Sequence, residues 1–266
     1  MLRDITLGQY YPVQSRIHAL DPRVKLVGTL LYVISLFLMK GIAGFVMATA
    51  FLAAVIRVSK VPFSFMVRGL KAIFILLLVT AVFNLIFTPG TALFSVWIIT
   101  VTWEGVKASV YLMIRLTYLV MGTSLMTLTT TPNRLTDGLE TLLAPLKKIH
   151  IPVAEIAMMM SIALRFIPIL TEETDKIMKA QAARGADFES GGLIRKVKSL
   201  IPILVPLFVS AFRRANDLAL AMEARCYQSG TERTRMKPLQ YEKSDRTAYI
   251  VLWAYLGIMM LIKVLL

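Results

Sequence analysis

EIAMMMSIALRFIPILTEETDKIMKAQAARG, residues 155–185, is apolar in its first half and charged in its second. Pro152 opens the stretch. The helix predicted from there through Ala183 holds about thirty residues, ~45 Å at about 1.5 Å each. It is neither a loop nor half of a clear pair of membrane spans. After Ser190-Gly191-Gly192 a second helix with the same gradient runs from about Leu193 to Arg225: IPILVPLFVSAF, then RRANDLALAMEAR. Ile201, Leu204, Val205, Phe208, Phe212, Ala215 and Met222 keep helical spacing. Pro168, Pro202 and Pro206 are expected to kink or loosen the pair. Both helices end alike. MKAQAARGADFE (178–189) and LALAMEARCYQS (218–229) place Ala180 and Ala183 before Arg184, and Ala221 and Ala224 before Arg225. The two form a degenerate internal repeat, two arms with similar tips.

The rest of the chain sets the medium. Of 266 residues 57% are hydrophobic and 17% charged, and mean hydropathy is +0.68. Soluble domains carry about 25% charged residues, so this is an integral membrane protein. The net charge of +14 reads as positive-inside bias, reinforced by acidic partners, rather than as nucleic-acid binding, because no stacking aromatics interleave the basic residues. The single cysteine, Cys226, excludes an intramolecular disulfide and a cysteine metal cluster. MLRDITLGQYYPVQS at the start is too polar for a cleavable signal.

Five spans are expected: 24–39, 42–58, 70–87, 106–130 and 247–266. Lys40-Gly41 is read as the hairpin between the first two. Gly44, Ala48, Ala50, Ala53 and Ala54 predict close packing of the second. The run ALFSVWIITVTW, 92–103, is too short to span and reads as an interfacial or re-entrant piece with Trp97 and Trp103 at headgroup level. Arg57, Lys60, Arg68 and Lys71 crowd the second-to-third connection without an acid, which places that loop and the N-terminus in the cytoplasm. Residues 1–130 then form a transmembrane domain of about four spans, 131–246 a cytoplasmic coupling domain, and 247–266 a C-terminal span. The coupling domain opens with a short amphipathic helix whose stripe is Leu135, Leu139, Leu142, Leu143 and Leu146. The fold class expected is all-α.

Catalytic chemistry is absent from the pattern. There is no GxxxxGK[ST], no HExxH and no GxSxG. His18 and His150 read as solvated or helix-end histidines, and Glu172, Glu173 and Asp175 as a solvated face paired with Lys176 and Lys179 at helical spacing. No catalytic residue and no metal site is assigned. Arg115, Arg165 and Glu155 lie in apolar runs and are read as facing a polar seam. An intramembrane enzyme would rest on these three alone. Arg184 and Arg225 each favour their own helix C-terminus. Small alanines beside them also admit a partner closely, and a guanidinium there can grip a carboxylate bidentately. The repetition favours the second reading, with two similar pockets on a dimeric partner.

ALRFIPIL…AQAARGADFE and LIPILVPLF…RRANDLALAMEARCY resemble the two signature segments of the transmembrane T component of energy-coupling factor (ECF) transporters, a class of ABC transporter. HALDPRVKL (18–26) and TPNRLTDGLETLLAPLKKIHIP (131–152) fit the same pattern. The resemblance covers essentially the whole chain. It implies a few membrane helices and a three-helix coupling domain, in the plasma membrane of a prokaryote. It implies that Ala183, Arg184 and Gly185, and Ala224, Arg225 and Cys226, dock on two ABC-type ATPase subunits. It implies contact with a membrane-embedded, substrate-binding S component that captures a vitamin or other micronutrient. Met158, Met159, Met160, Phe166, Leu204 and Phe208 are the candidates for that contact. Methionines there, with Met178 and Met222, can repack against different partners. No cofactor is expected in this chain, since ATP and Mg would be bound by the partner ATPases. Cys226 departs from the commoner glycine and leaves less freedom for a left-handed cap. The alternative is a conventional ABC importer permease with its own translocation path. The EAA-G-I-P-like pattern of such permeases is faintly echoed by Ala182-Ala183…Ile201-Pro202.

Overall fold

The computed structural model describes residues 10–39, 41–96, 99–186, 193–228 and 238–265. They fold as α1 (Arg16–Ala19), α2 (Pro22–Leu38), α3 (Gly41–Ser59), α4 (Phe63–Phe87), β1 (Ala92–Val96), β2 (Ile99–Thr102), α5 (Trp103–Thr129), α6 (Pro132–Leu143), a 3-10 helix (Ala144–Ile149), α7 (Val153–Ala183), α8 (Leu193–Ala224) and α9 (Lys243–Leu265). The architecture is all-α apart from the small hairpin, and the chain is a multi-pass membrane protein. Two compact units divide it at Gly138/Leu139 and Pro238/Leu239.

One unit holds α1 to α5, most of α6, and α9. Its core gathers Tyr32, Leu36, Phe45, Ala48, Leu52, Leu125 and Tyr255. Here α2 packs against both α5 and α9, α3 against α9 and α5, and α4 along α5. Aromatic rings tie the layers together. Phe51 stacks on Tyr255 with ring centres 4.1 Å apart, and Ser35 Oγ bonds the Tyr255 hydroxyl at 2.9 Å. Gly122 lets α5 meet α2, because a Cβ there would fall 2.8 Å from Tyr32 Cδ1.

Among the small residues expected to pack α3, only two do so. Gly44 and Ala48, four apart and so on one face, are buried, while Ala50, Ala53 and Ala54 are exposed. Small size permits close approach but does not choose the face. Lys60, in the α3–α4 turn, takes a left-handed φ of 57°.

The run expected as an interfacial or re-entrant piece forms an antiparallel β-hairpin, with Ala92 opposite Thr102 and Val96 opposite Ile99. Its β-branched residues suit strands, and the run is too short for a helix to cross the bilayer. The base is closed by polar bonds: Thr102 Oγ1 donates to Thr88 O at 2.8 Å, and Glu104 accepts from Thr91 N at 2.7 Å. Trp103, exposed, opens α5. Trp97, Lys40 and the Ser190-Gly191-Gly192 break lie outside the described residues.

Among the described residues α3, α5, α7 and α9 are long and apolar enough to cross a membrane. The α4 helix joins them if its two limbs, Phe63–Lys71 and Ile73–Phe87, set at 61° to each other, count as one span. The number agrees with the five expected, but the membership differs. The α2 helix has 17 residues and carries Arg23 and Lys25 in its first turn, whereas α7 gains length from its charged second half. Length and composition alone therefore do not separate an arm from a span.

Candidate functional site

The other unit holds α7 and α8. They run antiparallel where they touch. Glu173 on α7 accepts from Ser210 Oγ at 2.5 Å and from Arg214 Nη2 at 3.0 Å, and eight residues on Gln181 donates to Pro202 O at 3.3 Å. The expected pairing of Glu173 with lysines of its own helix is thus replaced by a bond across the pair. A carboxylate that reaches a neighbouring helix finds a hydroxyl and a guanidinium together, which two flexible lysines cannot match. Among the described residues no three of His, Cys, Asp and Glu come together as metal ligands.

The two tips have one geometry. At the first, Gly185 N donates to Ala182 O at 3.0 Å and Ala186 N to Gln181 O at 3.0 Å. At the second, Cys226 N donates to Glu223 O at 2.8 Å and Tyr227 N to Met222 O at 3.0 Å. Both are Schellman motifs, in which a left-handed residue turns the chain back and satisfies the last carbonyls. That residue is Gly185 (φ 86°) in one and Cys226 (φ 56°) in the other. The arginine precedes it in each, at the cap. Ala183, Arg184, Gly185, Ala224, Arg225 and Cys226 are all exposed.

The left-handed cap that a side chain at 226 was expected to hinder therefore forms. An L-residue pays about 1–2 kcal/mol for this conformation, and glycine does not. Cys226→Gly is expected to firm the tip, slowing hydrogen exchange of the Cys226 and Tyr227 amides by about fivefold, less any gain in unfolded-chain freedom. Unchanged or faster exchange would show that φ at 226 carries no strain.

The tips are far apart. Gln181, three residues before Arg184, sits beside Pro202, and Arg225 lies about 23 residues further along α8, ~35 Å away at about 1.5 Å per residue.

The apolar candidates do not form one patch. Leu204 and Phe208 are 50% and 64% exposed and, with Val205, Val209 and Phe212, line a shallow hollow of about 430 Å³ on α8. They lie level with the charged half of α7, because Ser210 meets Glu173. Met159 and Met160 are exposed, Met158 and Phe166 half-buried. Met160 precedes Glu173 by about 13 residues, so this set lies ~20 Å up α7 from that level. Arg165 is exposed on α7 and His150, at φ 62°, is exposed after the 3-10 helix. Arg115 is half-buried on α5, and its Nε is buried without a hydrogen-bond partner among the described residues.

A polar anchor in the other unit was missed. Asp21 caps α2, accepting from Arg23 N at 2.8 Å and from the Arg23 guanidinium at 3.0 and 2.7 Å. Arg23 also donates to Leu239 O at 3.2 Å and lies 3.9 Å over the Tyr241 ring. Asp245, 2% exposed, accepts from Asp21 N and Glu242 N, each at 2.8 Å. Lys25 Nζ donates to His18 O and Thr129 O. Burial raises the Asp21 carboxyl, but the Arg23 side chain and backbone N–H, with the charges of Arg23 and Lys25, together hold it below its usual value. Burial holds His18 below its usual value against the opposing bond to Tyr11 O. The local signal was Asp-Pro at 21–22, a cap followed by proline at the first helical position. The second partner, Asp245, is 224 residues away, and no local pattern names it.

A family model described as cobalt transport protein matches residues 14–237. Curated relatives include three named energy-coupling factor transporter transmembrane protein EcfT. The protein from Clostridium kluyveri is 55% identical over 247 residues, 92% of each chain. The one from Heliobacterium modesticaldum is 50% identical over 98% of this chain and 97% of its own. The one from Bacillus subtilis is 46% identical over 95% and 96%.

Proposed function

Since the chain belongs to the cobalt transport protein family, as a transmembrane component of energy-coupling factor transporters, we propose that it couples a cytoplasmic ATPase pair to a substrate-binding membrane partner. The observation that carries this reading is the pair of exposed, identically capped arginine tips. Closure of the ATPase dimer moves its two grooves. Arg184 and Arg225 follow, each gripping a carboxylate, and α7 and α8 act as levers. Their apolar surfaces, around Met159–Met160 and around Leu204–Phe208, then shift beneath an S component and reorient it for release or reloading of a vitamin or other micronutrient. Each state must bind the tips with a different free energy for work to be transmitted.

ATP and Mg belong to the partners, and the chain itself is a non-enzymatic transport subunit. The proposed orientation puts the N-terminus and the coupling domain, 131–246, in the cytoplasm of a prokaryotic cell. Arg57 in the last turn of α3, Lys60 in the α3–α4 turn and Lys71 in α4 support it.

The test is reconstitution in liposomes. ATP-driven uptake is expected only when the chain, the ATPase pair and an S component are all present. Uptake with the chain and ATPases alone would overturn the coupling role in favour of a permease with its own path.

A further inference from the structure

A cavity of about 660 Å³ lies within the unit formed by α1–α5 and α9. Four helix ends surround it: the first turns of α2 and α9 and the last turns of α3 and α5. Its size is that of a ligand pocket. Its lining is mostly apolar, with Ile17, Leu20, Val24, Tyr32, Phe51, Leu125 and Leu252, and its polar members are Arg16, Lys25, Thr29, Thr129, Glu242, Ser244 and Thr247. An apolar wall with a few cationic and hydroxyl groups matches an amphiphile rather than a water-soluble molecule.

Two donors in the lining lack a full set of acceptors. The Lys25 ammonium, in a residue 8% exposed, donates to two carbonyls, His18 O and Thr129 O. An ammonium has three hydrogens, so one is left. No carboxylate lies within ion-pair distance of Lys25 or Arg16 among the described residues. The Ser244 hydroxyl is buried and lacks a hydrogen-bond partner among the described residues. The lining holds two cations, Arg16 and Lys25, and one carboxylate, Glu242; outside it, Asp21 and Asp245 attract the Lys25 charge and Arg134 repels it. Buried donors without acceptors are costly, and each donates readily to a phosphate oxygen. Basic pockets between membrane helices are suited to anionic headgroups.

We propose that this cavity seats one anionic glycerophospholipid, its phosphate against Arg16, Lys25 and Ser244 and an acyl chain against Tyr32, Leu125 and Leu252. The lipid would seal four helix ends that the chain leaves loosely packed, beside the Asp21–Asp245 anchor. The inference does not depend on the coupling function.

The test is native mass spectrometry of the purified full chain exchanged into mixed micelles of equal phosphatidylglycerol and phosphatidylcholine. The wild type is expected to hold one phosphatidylglycerol in preference to phosphatidylcholine. Arg16→Glu removes a charge-assisted bond and should weaken that retention about tenfold. Ala54→Trp, on the exposed side of the cavity wall, fills the space and should abolish it. Circular dichroism and thermal unfolding of both variants establish that they fold. Equal retention by the wild type and both folded variants, or equal binding of the two lipids, would overturn the proposal. So would an Ala54→Trp protein that keeps its phosphatidylglycerol but loses a membrane partner on co-purification, which would make the cavity a protein seat.

Discussion

Replacing Arg184 and Arg225 together by glutamate is expected to release the ATPase pair from the membrane subunit. Each arginine stands alone at an exposed cap, with the shape of the tip held by backbone bonds that do not use its side chain. The fold should therefore tolerate the change. An anion at a helix C-terminus costs about 0.3–1 kcal/mol. Removing one partner of a desolvated charge pair at an interface costs about 2–5 kcal/mol, and reversal adds repulsion. Two such losses total about 4–10 kcal/mol, comparable with the ~8 kcal/mol between nanomolar and millimolar binding. Each single reversal is expected to weaken recovery, and the pair to abolish it, in a pull-down of the ATPases with the tagged full chain. Unfolding temperature should fall little. Wild-type recovery by the double variant would mean that the arginines serve only their own helices. Because the α7 tip lies near Pro202 and the α8 tip ~35 Å further along α8, their effects should add.

The second large effect is structural. Asp245→Ala is expected to destabilise the unit of α1–α5 and α9 by about 2–4 kcal/mol, because the buried N–H of Asp21 and the part-buried N–H of Glu242 lose their acceptor at once. Asp245→Asn should cost less, since one oxygen remains while the amide NH₂ meets a donor. The measurement is thermal unfolding in detergent, with the order wild type, Asn, Ala. A change of under about 1 kcal/mol for Ala would show that water replaces the carboxylate. The loss also loosens the start of α9 from the cap of α2, so Arg23 and Tyr241 should show it through increased tyrosine exposure.

Both predictions concern polar groups, yet they differ in how far the residues alone led to them. Ala183-Arg184-Gly185 and Ala224-Arg225-Cys226 could be matched by eye, because a helix cap is made within six residues of chain. The consequence of Cys226 could not. Its left-handed φ is tolerated here because the two capping bonds hold it, and propensity states only the cost. Asp245 falls just before the span expected at 247–266, where no local pattern marks it. Glu173 looked like a member of a solvated face, since spacing on one helix cannot reveal what the next helix brings. The apolar candidates show the same limit. Met158–Met160 and Leu204–Phe208 are each legible as apolar helix faces, but their separation follows from the antiparallel register set by Glu173 and Gln181.

The membrane character, the long helices and the twinned tips were determined by the sequence alone. Hydropathy over some twenty residues and hydrogen bonding over one turn are local properties. The tertiary structure alone decided that Gly44 and Ala48 pack while Ala53 does not, that residues 92–96 and 99–102 pair as strands, that Asp245 closes on Asp21, and that four helix ends leave a cavity. Periodicity marks which face of a helix is apolar or polar. It does not say which element that face meets, and the energy of a buried carboxylate or an empty space depends on the meeting.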